Sequence, residues 1–283
     1  MKREALIHTC KRWCNLLLII VGVSSCSIDN NLFSPEPSSS YDLHSTIIDD
    51  SLREEVQFES GGHTLFGYLV RQPDSLSVEP HHTIIFHHGS ESNIENTWWR
   101  VELLWRAGFS VFIYDYRGYG KSEGVMASEA TLLEDAEAAF RTFLSQNTID
   151  TTTIVHYGFS IGGVAAVYLA TQHPSHAVIT ESLFSSGKAY VQTGTIPALP
   201  GTFLTNGTFD NVSRINAINT KLLMMHGEQD SYLPMIIHAD ALFNHAVNPK
   251  TLIRVKGAGH SNIPHVLGEQ AYIDLITTFI RGS

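Results

Sequence analysis

Ser160 lies in Gly158-Phe159-Ser160-Ile161-Gly162-Gly163, between a β-branched run (Thr152 to Val155) and a small-residue helical stretch (Gly163 to Ala170). A serine at a strand–turn–helix junction projects its hydroxyl from a strained backbone, because flanking glycines let strand and helix approach closely. The next backbone amide, at Ile161, then faces the place where an oxyanion would form. A serine hydroxyl is a weak nucleophile at neutral pH and needs a base within reach. Two later loops offer the partners: Asp230 follows an apolar run over 221–226, and His260 follows a β-branched run over 251–255. His260 would take the serine proton, and Asp230 would hold the imidazole in the useful tautomer. The rivals are weaker. Glu228 shares the loop of Asp230, and Asp240 falls on the following helix, which Pro234 is placed to open. His265 follows Pro264, away from a strand end, and His226 sits before Gly227 in a structural position.

The elements that must bring these residues together read as alternating strands and helices. Strands are expected over 55–58 and 64–70, joined by a turn at Gly61-Gly62. Then come strand 83–87, helix 94–107, strand 110–114, helix 129–146, strand 153–157, helix 161–172 and strand 177–180. After a gap follow strand 221–226, helix 234–246, strand 251–255 and helix 267–280. Such alternation implies a mainly parallel sheet with helices on both faces. Each candidate residue falls in a loop after a strand, where open α/β sheets place their sites.

The order Ser160, Asp230, His260, with the elbow around Ser160, resembles the α/β-hydrolase superfamily of serine hydrolases, in particular its serine-aminopeptidase-like branch. Two further segments carry the resemblance. Thr83-Ile84-Ile85-Phe86-His87-His88-Gly89-Ser90 resembles the oxyanion loop after the third strand, which implies the amide of Ser90 as second oxyanion donor. Asp115-Tyr116-Arg117-Gly118-Tyr119-Gly120-Lys121-Ser122 resembles the family's D-x-R-G-x-G-x-S segment, with Asp115 and Arg117 expected to brace the loop behind the site. The resemblance spans about 52–283. It implies an α/β-hydrolase fold, an acyl-enzyme mechanism without cofactor, and a cap insertion after the sixth strand, at about 182–220. Phe184, Tyr190, Leu199, Phe203, Leu204 and Phe209 could line an acyl pocket there, or pack on one another. Trp98, Trp99 and Trp105 could line an entrance or serve as packing.

Composition narrows the function further. The chain has 283 residues, 43% hydrophobic and 16% charged, with a net charge of −10. No basic run lies beyond the first twelve residues, which argues against nucleic-acid binding. Fifteen histidines invite a metal site. Neither His81-His82 nor His87-His88 can chelate as a pair, because adjacent strand residues point to opposite faces. Metal binding is not expected.

Lys2, Arg3, Lys11 and Arg12 precede the apolar run Leu16 to Val23, which is too short to span a bilayer and suits a signal-peptide core. Val23-Ser24-Ser25-Cys26 resembles the bacterial lipobox. That implies removal of residues 1–25 and acylation of Cys26, and Ser27 would favour outer-membrane sorting toward the periplasm. With Cys10 and Cys14 removed, the chain could form no internal disulfide. Residues 26–50, rich in Asn, Ser, Pro and Asp, read as a flexible tether, and 51–283 as the catalytic domain.

The expected activity is therefore hydrolysis of an ester or thioester on a small-molecule or acyl substrate. A peptidase is the second reading. It would need acids to hold a free amine, and the cap region offers Glu181 and Asp210. A binding lipoprotein that has lost catalysis is the third.

Overall fold

The computed structural model describes residues 32–45, 47–73, 80–126, 128–146, 150–193, 208–247 and 249–282. The expected signal segment, Cys26 and the centre of the cap lie outside them.

Eight strands form one sheet in the order β1-β2-β4-β3-β5-β6-β7-β8. They are β1 (Arg53–Ser60), β2 (His63–Val70), β3 (Thr83–His87), β4 (Ser110–Tyr114), β5 (Ile154–Phe159), β6 (Ala177–Glu181), β7 (Lys221–Gly227) and β8 (Lys250–Val255). β1, β2 and β4 pair antiparallel, and all remaining neighbours are parallel. This is the α/β-hydrolase fold. The period of two along each strand divides the core between the two faces. Ile85, Ile154, Leu222 and Met224 face one hydrophobic layer. Ile84, Phe86, Val155, Tyr157, Leu223 and Met225 face the other.

Helix α1 (Ile94–Arg106) starts where the Asn93 side chain accepts the Asn96 amide at 3.0 Å. It buries Ile94, Trp98, Val101 and Leu104, one stripe at three- and four-residue spacing. α2 (Glu129–Gln146) and α3 (Gly162–Gln172) cover the opposite face. Short helices follow: α4 (Gly187–Thr193), α5 (Asn211–Asn216), α6 (Ala239–His245) and α7 (Ile263–Leu267). α8 (Glu269–Arg281) closes the α1 side with Tyr272, Ile273, Ile276 and Ile280.

Three expectations change. The helix expected over 234–246 is a turn over its first residues, with the Ile237 and His238 amides both bonded to the Pro234 carbonyl, and helix begins only at Ala239. The helix expected over 267–280 starts at Glu269, because Gly268 takes φ 83, and a separate short helix, α7, precedes it. The tether expected up to residue 50 is docked from Leu32 onward. Leu32, Phe33, Leu43 and Ile48 are buried, and Pro37 bridges to Gly120. A few apolar side chains and backbone bonds to distant loops hold a segment whose local composition supports no core of its own.

Among the carboxyl ends of the central strands lie buried histidines. His87 sits 2.8 Å from the Tyr114 hydroxyl and 3.4 Å from Nδ1 of His156, and their rings stack. Burial, with the charge of neighbouring histidines, pushes His87 well down, and burial takes His156 down to about 3. Mainly through burial, His238 is lowered to about 4. The unfolded chain therefore binds protons below pH ~6.5 that the folded chain refuses, and stability present above that pH drains away as it falls toward these values. Each such histidine weakens the fold by on the order of 1.4 kcal/mol per pH unit across that window. Urea midpoints should fall clearly between pH 7 and pH 5, and His156→Gln should flatten the slope. A midpoint unchanged across that range would contradict buried neutral imidazoles.

Candidate active site

The parallel register aligns the carboxyl ends of the central strands. His87 pairs with Gly158, Phe159 with Glu181, and Glu181 with Met225, so the loops that follow converge. The elbow after β5 depends on missing side chains. A Cβ on Gly158 would lie 2.4 Å from the Gly162 carbonyl oxygen, and one on Gly162 would lie 2.1 Å from that of His87. Ser160 takes φ 52, a left-handed conformation unusual for a residue with a side chain. Its amide is held by the Glu181 carbonyl at 2.8 Å.

The other two loops meet just as closely. A Cβ on Gly227 would fall 2.4 Å from the carbonyl oxygens of Ala258 and Gly259, so only glycine lets the Asp230 and His260 loops touch. His260 Nε2 lies 3.0 Å from Ser160 Oγ, and His260 Nδ1 lies 2.8 Å from Asp230 Oδ2. The carboxylate accepts a hydrogen bond from Nδ1–H, which keeps the proton on Nδ1 and leaves Nε2 free to accept from the serine hydroxyl. The second carboxylate oxygen accepts the amides of Tyr232 at 3.0 Å and Leu233 at 2.7 Å. Burial opposes ionisation of Asp230, but the His260 hydrogen bond and the Leu233 amide outweigh it and hold the pKa below its usual value. Ser160 is 7% exposed and Asp230 4%, a water-poor setting with one open side.

That side is a cleft of about 410 Å³ lined by Ser90, Glu91, Ser92, Phe159, Ser160, Tyr232, His260 and Ser261. Ser90 thus faces the same space as the serine, and Ile161 follows the serine at 2% exposure. A nucleophile beside a base that an acid orients, opening on a cleft, can attack a bound carbonyl.

The rival residues are engaged elsewhere. Asp240 pairs with Arg254 at 2.6 Å, Glu228 is exposed, and the His265 ring rests on Trp99. His226 donates to the Leu233 carbonyl at 2.7 Å, bracing the Asp230 loop. Asp115 and Arg117 do not pair. Asp115 accepts the Ile94 amide and the Tyr41 hydroxyl, while Arg117 binds Glu134 and Asp135. Trp98 packs edge-on to Tyr68, and Trp105 donates to the Arg71 carbonyl, so both serve packing. Glu181 belongs to the end of β6 and is fully buried, and Asp210 caps α5 through Ser213. Neither acid reaches the cleft. Phe184 and Phe209 lie in the core, 5.8 Å apart, rather than in the cleft.

Sequence reasoning missed the groups that hold His260. Ser182 Oγ donates to the His260 carbonyl at 2.8 Å. Arg100 Nη2 donates to the Ser261 carbonyl at 3.0 Å. Its other terminal nitrogen pairs with Glu181 at 2.8 Å, and Tyr157 donates to the same carboxylate at 2.5 Å. No motif marks these residues. Ser182 shares the positive φ of Ser160, at 52, but that is visible only in the structure. Ser182→Ala should lower kcat about tenfold with KM unchanged, as one net hydrogen bond of about 1 kcal/mol is lost and the base loosens. A rise in KM with kcat preserved would contradict this positioning role.

Comparison with known proteins agrees with the fold. The family model for serine aminopeptidases, S33, matches residues 78–199. The uncharacterized Escherichia coli O157:H7 protein YfhR is 28% identical over 238 residues, 82% of this chain and 77% of that protein. Human α/β hydrolase domain-containing protein 17B is 31% identical over 202 residues, 70% of this chain and 66% of that protein. Among solved structures, the Pyrococcus furiosus esterase Pf2001 superposes with a TM-score of 0.69 at 19% identity, covering 88% of this chain and 98% of that one. An α/β hydrolase from Vibrio vulnificus gives 0.65 at 20% identity, covering 81% of this chain and 82% of that one. Sheet order and sequence similarity together support membership of the α/β-hydrolase superfamily and a hydrolase of that type.

Proposed function

We propose that the chain is a serine hydrolase that cleaves an ester or thioester through an acyl-enzyme. The observation that carries this reading is His260 bridging Ser160 and Asp230 at 3.0 and 2.8 Å. Attack by Ser160 Oγ passes its proton to His260 Nε2, and the oxyanion is met by the amides of Ile161 and Ser90. Collapse expels the alcohol or thiol, which takes the proton back from His260. Water, deprotonated by the same imidazole, then releases the acid.

An acyl substrate near a membrane suits the N-terminal sequence. If Cys26 carries the lipid, Ser34 follows eight residues later and is already docked, so the chain between them reaches at most roughly 28 Å. The protein is then an envelope lipoprotein whose cleft stays close to the bilayer. No helix among the described residues is long and apolar enough to cross a membrane. Cys26→Ser should abolish metabolic fatty-acid labelling, and label that persists would remove Cys26 from the proposal.

A peptidase is the second reading, and Glu91 favours it as the one acid among the described residues that line the cleft, where it could hold a free amine. Turnover of esters of graded acyl length against amino-acid amides separates the two. The ester reading expects kcat/KM for esters to exceed that for matched amides by about 10² or more, a gap of roughly 2.7 kcal/mol in transition-state stabilisation. Amides hydrolysed as fast as esters would overturn it.

A further inference from the structure

The docked segment before β1 reaches the oxyanion loop itself. The backbone N–H of Ser34 donates to the Ser90 carbonyl at 3.2 Å, and the Tyr119 hydroxyl donates to the same oxygen at 3.0 Å. Two residues on, the Glu36 carbonyl accepts from Asn93 Nδ2 at 3.2 Å and from the Gly120 amide at 2.9 Å. The Glu36 carboxylate accepts from Asn96 Nδ2 at 2.5 Å. Ser38 returns its amide to the Gly120 carbonyl at 2.7 Å. Tyr41 donates to Asp115, whose other oxygen takes the Ile94 amide at 2.9 Å. Phe33 seats the segment in the core, 6.3 Å from the Phe209 ring. The loop from Ser90 to Ile94 is therefore held from one side by β3 and α1, and from the other by residues 34–41.

We infer that residues 34–41 belong to the catalytic apparatus as a positioning strap, and that the Ser34 backbone N–H, by holding the Ser90 carbonyl, restrains Ser90 from its C-terminal side and so limits the freedom of the Ser90 amide one peptide back. The inference rests on the serine-hydrolase reading above. A donor stabilises an oxyanion only if it is already aimed at the place where charge develops. The Ser90 N–H shares its peptide plane with the Gly89 carbonyl, which His88 Nδ1 holds at 2.7 Å. The peptide on the other side of Ser90 is held at its carbonyl by the Ser34 amide and the Tyr119 hydroxyl, so the residue is fixed from both sides. The strap also ties the loop to the D-x-R-G segment through Gly120, a segment that does not itself line the cleft.

The decisive variant is Ser34→Pro, which deletes the N–H; because it also fixes φ at 34 and restricts Phe33, the thermal midpoint is measured on the same preparation as turnover. Turnover of a short ester should fall roughly tenfold, short of the about 10²–10³ lost when an oxyanion donor is removed outright. KM and the thermal midpoint should hold. Affinity for a trifluoromethyl ketone, whose hemiketal adduct with Ser160 places an oxyanion at the site while His260 takes the hydroxyl proton, should fall by the same factor as kcat/KM. The conservative Ser34→Ala keeps the amide and should restore both. Should Ser34→Pro fail to fold, Tyr41→Phe removes the tie to Asp115 and should show the same split between kcat and KM at smaller size. Unchanged turnover and ketone affinity in a folded Ser34→Pro, or loss only in proportion to lost folded protein, would overturn the strap while leaving the hydrolase reading intact. A wild-type protein that neither turns over esters nor binds the ketone would take down both.

Discussion

Ser160→Ala is expected to lower ester turnover by about 10⁴–10⁶, the loss usual when a triad nucleophile is removed. The size follows from what the hydroxyl does and what it does not do. Among the described residues its side-chain hydroxyl bonds to His260 Nε2, at 3.0 Å, and alanine keeps the Cβ. The backbone is held by the Glu181 carbonyl and by the glycines on either side, which the variant keeps. Alanine bears the same positive φ that serine bears, so stability should change by less than about 1 kcal/mol. Turnover and the thermal midpoint, measured on the same preparation, separate lost chemistry from lost folding. An alanine variant with more than a tenth of wild-type turnover would remove Ser160 from the mechanism.

Asp230→Asn should cost about 10³–10⁴ in kcat, by a route the geometry specifies. One carboxylate oxygen is gripped by the amides of Tyr232 and Leu233, both donors. The asparagine oxygen must stay there, because the NH₂ group would meet two N–H groups. Its NH₂ then faces His260 Nδ1, which has to become an acceptor. The imidazole proton moves to Nε2, and the base now offers Ser160 a donor in place of a lone pair. Substrate binding should be little affected, since Asp230 does not line the cleft. Nitrogen chemical shifts of His260 would report the tautomer directly. Retention of the wild-type tautomer with turnover within tenfold of normal would contradict the assigned role.

The site was legible in the sequence where its residues carry local signals. Ser160 is announced by its glycines, and Asp230 and His260 by the strands that end just before them. The elements whose periodicity is complete were legible for the same reason. Val155 and Tyr157 alternate with Ile154 and His156, and α1 shows its stripe from Ile94 to Leu104. What was hidden depends on partners far along the chain. Ser182 meets residue 260, Arg100 meets Glu181 and Ser261, and Ser34 meets Ser90, each across strands that local pattern cannot pair. Glu181 looked like a cap acid because the end of β6 was placed one residue short. The docked segment before β1 reads as a tether because composition over a short window cannot register scattered buried side chains, Leu32, Phe33, Leu43 and Ile48, that find their core elsewhere.

The most direct test of the central claim is covalent labelling with a fluorophosphonate, followed by mass spectrometry of the peptide that spans Gly158 to Gly163. The phosphonyl group attaches only to a serine whose neighbour can take its proton and whose surroundings stabilise a tetrahedral oxyanion. One adduct on Ser160 is expected, formed with loss of ester turnover in equal proportion and strongly slowed in His260→Gln. An enzyme that hydrolyses esters yet carries the adduct on another residue, or none at all, would contradict the account.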